Sequence, residues 1–290
     1  QSTTRVGTQG TQGAQAADKS ARIAGTIDFQ HVDFAFPDDL GTPVLSDIDF
    51  HVPAGAKLGI LGETGSGKST LVNLISRFYD PTAGRVLSDW PLATLRSQVC
   101  IVAQDTFLFS DTIGSNISFG AGDRGNRLEY NGQYDGQRRR RGYDEQYVRR
   151  MAAIAGADGF ISSMPDGYDT VVGERGVGLS GGQKQRLSLA RALADNPSIL
   201  IMDDTTSAVD METEAEIQRH LRDLDEKKTI VTIAHRISSV KDSDLILVLE
   251  HGRIVERGTH DELVASHGRY WQIYSKQLGV DAGRSQGFEA

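Results

Sequence analysis

One run constrains this chain more than any other: Gly62-Glu63-Thr64-Gly65-Ser66-Gly67-Lys68-Ser69. It fits G-x-x-x-x-G-K-[ST] and stands between KLGIL, predicted as a buried strand, and LVNLISRFY, predicted as a helix. Glycines at this spacing let the backbone N–H groups of Gly62 to Thr70 curl around phosphate oxygens, and the N-terminus of the helix that follows points its positive dipole end at them. Lys68 is placed to reach the β- and γ-phosphates of a nucleotide, and the Ser69 hydroxyl to hold Mg²⁺. The alternative, an ordinary glycine-rich turn, does not account for the strand, the helix and the lysine together.

The rest of the chain has to supply a core around that loop. With 290 residues, 38% of them hydrophobic, it can build one large core or two joined lobes. A net charge of -8 argues against a general nucleic-acid binder, because a phosphate backbone rewards dense Lys and Arg. The single cysteine, Cys100, lies in the apolar stretch VCIVA, which reads as a buried structural thiol in a reducing compartment. No stretch approaches the ~20 consecutive apolar residues that span a bilayer, and no signal peptide is evident. If the chain serves transport, the pore belongs to another chain or to another part of its polypeptide.

Residues 1–22 are rich in Gln, Gly, Thr and Ala without apolar periodicity and read as a flexible linker, as do 280–290 as a tail. From Ile27 to Phe36 and from Val44 to Val52, β-branched and aromatic residues interleave with polar ones, predicting antiparallel strands in an edge sheet. After the loop come buried-strand candidates at 99–104, 198–204, 229–235 and 244–250. They are separated by the helical segments EQYVRRMAAIAG, GGQKQRLSLARALAD and EAEIQRHLRDL. In the last segment Ile217, Leu221 and Leu224 recur at i, i+4 and i+7, the spacing of a helix face packed on a sheet. Parallel strands need such crossovers. A Gly- and Arg-rich stretch at about 120–143, including Arg138 to Arg141, reads as an exposed insert, with contact to anionic lipid headgroups as a lesser alternative.

The run Ile199-Leu200-Ile201-Met202 ends in Asp203, where a carboxylate at the carboxyl edge of a parallel sheet can meet a magnesium shell. Loop and carboxylate together indicate a P-loop NTPase. The branch is indicated by Leu179-Ser180-Gly181-Gly182-Gln183, followed by KQRLSLARAL, a second glycine-bearing helix start with free N–H groups. With this run the sequence resembles the ATP-binding cassette (ABC) family from Phe36 to about Leu278. The resemblance implies an α/β fold: a P-loop NTPase core with a parallel sheet, an antiparallel β edge subdomain, and a helical signature subdomain at about 105–195, within a domain of 23–279.

It also implies a division of labour. In the family the signature loop closes over ATP held by a second cassette, so that two cassettes dimerise head to tail around two MgATP. Phe36, in FAFPD, stands at the place of the aromatic that stacks on adenine, although a core strand aromatic is the competing reading. Gln104 matches the glutamine that approaches Mg²⁺ and the transport domain, so that Ser69, Gln104 and Asp203 form the expected metal set. Ser207 to Asp210 match the D-loop, which runs across the dimer interface, and His235, in TIAHR, matches the switch histidine that contacts the γ-phosphate. Gly173-Glu174-Arg175-Gly176 resembles a loop of exporters that faces the transmembrane domain. The implied setting is the cytoplasmic face of a membrane, beside a transmembrane domain, with no nucleic-acid partner.

Two departures from the family pattern carry consequences. Asp204 follows Asp203 where the family has Glu, whose carboxylate polarises the attacking water. A side chain one methylene shorter sits about an ångström from that position, an error that can cost ~10²-fold in rate unless the backbone shifts to compensate. The expectation is a slow site over this chain's own Lys68 and a working site completed by its signature loop on a different partner carrying Glu. A regulatory cassette that clamps ATP with little hydrolysis is the alternative. In addition, the short strand-and-turn that precedes SDWPLATLRSQ in the family is missing after Leu87.

Overall fold

The computed structural model describes residues 22–86, 90–121, 143–173, 176–205, 208–224 and 227–279. The expected linker up to residue 21, the insert with Arg138 to Arg141, the segment right after Leu87 and the C-terminal tail lie outside these residues.

In chain order the elements are β1 (Ile27–Phe34), β2 (Leu45–Val52), β3 (Lys57–Gly62), α1 (Lys68–Ile75), β4 (Ala83–Val86), α2 (Leu92–Arg96), β5 (Val99–Val102) and α3 (Ile113–Ser118). There follow α4 (Glu145–Ile154), α5 (Asp158–Ser162), α6 (Gly181–Ala194), β6 (Ile199–Asp203), α7 (Met211–Arg222) and β7 (Thr229–Ala234). The chain closes with β8 (Leu245–Glu250), β9 (Arg253–Gly258), α8 (His260–Ala265) and α9 (Arg269–Leu278). Among the described residues no helix is long and apolar enough to cross a membrane.

The strands form two sheets, one of order β2-β1-β4 and one of order β5-β6-β7-β3-β8-β9. The first is antiparallel. Alternation in β1 turns Ile27, Phe29, Val32 and Phe34 inward, and Phe29 stacks on its register partner Phe50 with ring centroids 4.7 Å apart. The register shifts after Phe29, where His31 takes a positive φ of 48°, so two consecutive polar residues are accommodated without turning Val32 outward. The second sheet is parallel from β5 to β8. Its strands β6 and β7 are buried along almost their whole length, as continuous apolar runs covered on both faces should be.

Side-chain alternation along β6 divides the interior in two. Leu200 and Met202 join a helical core with Ile117, Val148, Met151, Leu187 and Leu193. Ile199 and Ile201 face the opposite way, into the core between the parallel sheet, α1 and the antiparallel sheet. Thus α1 and α6, the two helices that follow the glycine motifs, are packed in different cores. Arg191 fastens α6 to α3: its guanidinium donates to the Asn116 carbonyl at 2.8 Å, the Asn116 side chain at 2.6 Å and the Phe107 carbonyl at 2.8 Å.

Several expectations shift at their edges. The first strand stops at Phe34 rather than Phe36, and Leu224 lies beyond the end of α7 at Arg222, half-buried against the helical core that takes Ile217 and Leu221. Cys100 is half-buried, and burial pushes its thiol up to about 12. The elements β4, β9, α8 and α9 were not expected. β9 returns antiparallel on β8 through the two-residue turn His251-Gly252, whose φ values of 46° and 73° suit a right-twisted hairpin.

Candidate nucleotide site

At the end of β3 the chain enters the glycine loop under tight steric limits. A Cβ on Gly62 would lie 2.5 Å from the Leu249 carbonyl oxygen, so no other residue passes there without displacing β8. Gly65 and Gly67 take φ of 83° and 102°, the left-handed region that favours glycine. Gly67 is the N-cap of α1 and offers no side chain to the helix start, whose first turn is also free of acidic residues. Among the described residues the amides of Gly67, Lys68 and Ser69 make no hydrogen bond, as expected at an uncapped helix start. The Ser66 hydroxyl is likewise buried without a partner.

Lys68 is 7% exposed, and its ammonium donates back to the carbonyls of Gly62 at 2.7 Å and Glu63 at 2.8 Å, which spans the loop. Burial holds its pKa below the ordinary lysine value, while Asp203, Asp204 and Glu63 pull it back up. Uncapped amides, a partnerless hydroxyl and a desolvated ammonium converge on the same loop. That donor set fits an anion with several oxygens, such as a polyphosphate.

The neighbouring strands bring the other expected residues to the same edge. β7 pairs with β3 on one side and β6 on the other, with Leu61 opposite Ala234 and Asp203 opposite Ile233. Asp203, Asp204 and His235 therefore leave the sheet at its carboxyl edge beside the glycine loop, where open α/β sheets bind ligands. Asp203 is half-buried; burial raises its pKa, Asp204 adds to the rise, and Lys68 and His235 oppose it. Asp204 turns into a left-handed conformation, φ 47°, which Asp tolerates better than most residues, and its N–H donates to the Ile233 carbonyl at 3.0 Å. His235 is exposed.

Gln104, also exposed, lies just past the end of β5, the neighbour of β6. Phe36 is half-buried, with Phe34 and Tyr79 meeting it edge-on at centroid distances of 5.1 and 5.4 Å. Tyr79 was missed in the sequence because no motif marks it. Thr70 is buried in α1, whereas Glu63, Thr64 and Ser69 are exposed.

The second glycine motif is built differently. Ser180 is the N-cap of α6 and accepts from the Gln183 N–H at 3.2 Å, while the Gln183 side chain accepts from the Ser180 N–H at 2.8 Å. This reciprocal capping box satisfies two donors within the chain. Leu179 is half-buried against the helical core, and Gly181 is exposed. A Cβ on Gly182 would lie 2.7 Å from the Ala208 carbonyl, so the motif is in close contact with the segment leading to Asp210, and the Ala208 N–H donates to Gln185 at 3.3 Å. Asp210 caps α7, accepting from the N–H and hydroxyl of Thr213 at 2.9 and 2.8 Å, bonds that hold its carboxyl below the usual range. Ser207, Glu174 and Arg175 lie outside the described residues.

Two contacts of the site come from α9, a helix that the sequence motifs did not announce. Arg269 pairs with Glu63 of the glycine loop and with Glu250, each at 2.6 Å, and Gln277 reaches the backbone on both sides of Arg236. Their partners are far away in sequence, so no local pattern could reveal them.

A family profile described as "ABC transporter" matches residues 45–207. The chain is 42% identical over 267 residues to an ATP-dependent lipid A-core flippase of Photobacterium profundum, an alignment covering 90% of this chain and 42% of the relative. It is 45% identical over 262 residues to an uncharacterized ABC transporter ATP-binding protein of Bacillus subtilis, covering 88% and 41%. Among solved structures it resembles a bacterial Atm1-family ABC exporter with ATP bound, at a TM-score of 0.76 and 40% identity, covering 87% of this chain and 42% of that one. The chain thus spans about two fifths of the length of these relatives. The glycine loop, the carboxyl-edge aspartates and the family match identify the chain as a member of the ABC transporter family, carrying its ATP-binding, ATP-hydrolysing domain.

Proposed function

We propose that this chain is the ATP-driven motor of a membrane exporter, acting at the cytoplasmic face through nucleotide-driven pairing with a second cassette. The observation that carries the reading is that its two glycine-bearing helix starts belong to different cores and differ in state, one uncapped around a buried lysine and one self-capped. Export is supported by the relatives described as a flippase and an exporter. An exposed aromatic cluster supports it as well: Phe107 and Phe119 are 55% and 62% exposed, with Phe109 between them at centroid distances of 5.3 and 4.7 Å. Such a patch beside Gln104 suits docking of a transmembrane domain.

In this reading the amides of residues 62–70 hold the phosphates, Lys68 bonds the β- and γ-phosphates, and Phe36 stacks on the adenine. Mg²⁺ would be held by the hard oxygen donors of Ser69, Gln104 and Asp203, where it would neutralise charge building on the phosphates. Asp203 fits a cation there, because burial first and the neighbouring Asp204 second disfavour its ionised form, and a bound cation would offset both. Asp204 accepts a proton from the attacking water, and His235 meets the γ-phosphate. The signature loop, Leu179 to Gln183, lies over the partner's ATP, with Ser207 and Asp210 at the interface.

Asp204 makes the two sites of the pair unequal. The site over this chain's Lys68 turns over slowly, and the partner is a different subunit with Glu at the corresponding position. ATP turnover of the chain alone and of Asp204→Glu tests this: slow hydrolysis that rises with the substitution is expected, and brisk hydrolysis unaffected by it would sink the idea. A reading as a nucleotide clamp that regulates rather than drives gains support only if hydrolysis stays low in Asp204→Glu as well.

A further inference from the structure

The C-terminal helix α9 is tied to the nucleotide site at both of its ends. At its start the Glu256 carboxylate of β9 accepts from the N–H groups of Arg269 and Tyr270, which caps the helix with an anion, and any Cβ on Gly268 would collide with that carboxylate. Arg269 then bridges Glu63, inside the phosphate loop, and Glu250, at the end of β8. The buried Tyr270 shares a hydrophobic cluster with Leu61, Val248 and Ile237, that is, with the strand entering the phosphate loop, with β8 and with the residue two past His235. The Tyr270 hydroxyl meets His260 Nδ1 at 2.7 Å, which fixes α9 on α8.

At the other end Gln277 makes two opposed hydrogen bonds to one short stretch. Its Nε2 donates to the His235 carbonyl at 2.7 Å and its Oε1 accepts from the Ile237 N–H at 2.9 Å. One partner is an acceptor and the other a donor, so a single orientation of the amide satisfies both. The distance from Arg269 to Gln277 along the helix is about 12 Å, eight residues at the rise of an α-helix. A rigid rod of that length therefore fixes the His235 backbone relative to the phosphate loop, without touching nucleotide.

We propose that Gln277 is a positioning residue for His235: through α9 it sets the height of the His235 backbone over the phosphate loop, so that the imidazole meets a γ-phosphate when one is bound. The inference rests on the reading of His235 given above. His235 is exposed and lies one residue past the end of its strand at Ala234, outside the sheet ladder. The two bonds from Gln277 hold the backbone there. Surface location alone would make Gln277 an ordinary helix-end contact; the bidentate grip on the residues flanking Arg236 gives it a specific consequence.

The test compares ATP and ADP affinities, in the presence of Mg²⁺, for the full chain and for His235→Ala, Gln277→Leu and the double variant. Gln277→Leu should weaken ATP about fivefold and leave ADP within about twofold, since only ATP carries the phosphate that His235 meets, and two lost bonds of ordinary strength bound the effect. In the His235→Ala background the same substitution should add nothing, the signature of coupled residues. Gln277→Glu, which keeps the acceptor for Ile237 but sets a carboxylate oxygen against the His235 carbonyl, should weaken ATP at least as much as Gln277→Leu. Equal weakening of ATP and ADP, or full additivity with His235→Ala, would overturn the proposal. Amide exchange at Ile237, at least tenfold faster in Gln277→Leu, reports the grip itself, and unchanged exchange overturns it. His235→Ala that leaves the ATP-to-ADP ratio as in wild type refutes instead the assignment of His235, and the exchange measurement keeps the two failures apart.

Discussion

The two glycine motifs look alike on paper, each a short glycine run opening a helix, but they meet their helices in opposite states. At α1 the cap is a glycine in the left-handed region, the amides that follow are unpartnered, and a buried ammonium waits across the loop. At α6 the cap is Ser180, locked with Gln183 in a reciprocal box, and no ionisable side chain stands among Leu179 to Gln183. The difference teaches that a helix start becomes an anion site by what it leaves unsatisfied. The first leaves a run of amides and a buried ammonium at one loop, a donor set that fits a polyphosphate; the second commits the Ser180 and Gln183 N–H groups to its own box and leaves fewer amides, with no charge within the motif.

Removing the ammonium should break the comparison most severely. Lys68→Ala leaves the loop with dipoles but no charge, and ATP hydrolysis should fall by more than ~10²-fold, the scale lost when a group that meets the developing charge is deleted. Steady-state phosphate release measures it; near-normal turnover would mean that the loop is not the site. Asp204→Glu acts in the opposite direction. Turnover should rise by up to ~10²-fold as the carboxylate moves about an ångström closer to the water. The left-handed backbone at Asp204 tempers the gain, because Glu is less at ease there than Asp. A melt recorded with the activity separates strain from chemistry.

Alkaline titration sharpens the contrast. Burial lowers the Lys68 pKa below the 10.5 of a free lysine, and bound phosphate would raise it again. Binding then takes up a proton above the unliganded pKa, so ATP affinity should fall as pH rises toward and through that lowered value. In Lys68→Met the slope should vanish. A fluorescent ATP analogue titrated between about pH 7 and 9.5 checks both, a window in which ordinary lysines stay mostly protonated.

Legibility followed locality. Gly62 to Ser69 and Leu179 to Gln183 are continuous runs whose residue types suggest their chemistry, and the buried strands β6 and β7 are short, mostly apolar runs rich in β-branched residues, so both could be found by reading along the chain. β9 could not: its residues alternate between exposed and half-buried, and four of the six are charged or glycine, types that a core strand avoids. Arg269, Gln277 and Tyr79 owe their place to tertiary contacts, and no spacing rule announces a partner 206 residues away. The conformation of Asp204 was hidden for a similar reason. Its positive φ comes from how β6 ends against Ile233 on β7, whereas the sequence showed only a side chain one methylene short.

The gentlest perturbation addresses the self-capped helix. Ser180→Ala removes the hydroxyl that accepts from Gln183, and with it the reason for the Gln183 side chain to fold back on the Ser180 N–H. Loss of an N-cap costs about 1 kcal/mol, and α6 carries Arg191 and much of the helical core, so the cost is felt by the whole domain. For a domain of this size that is a fall of about 2–4 °C in Tm. Gly67→Ser is the matching change at α1, a cap residue placed where the chain has none; there the left-handed φ of 102° and a Cβ 2.7 Å from Leu45 turn the same chemistry into strain. If adding a cap at α1 stabilised the chain as removing one at α6 destabilises it, the two helix starts would be variants of one design. Destabilisation by both, measured in melts without nucleotide, is the expected result, and it would show that the phosphate loop is open because its backbone admits no cap.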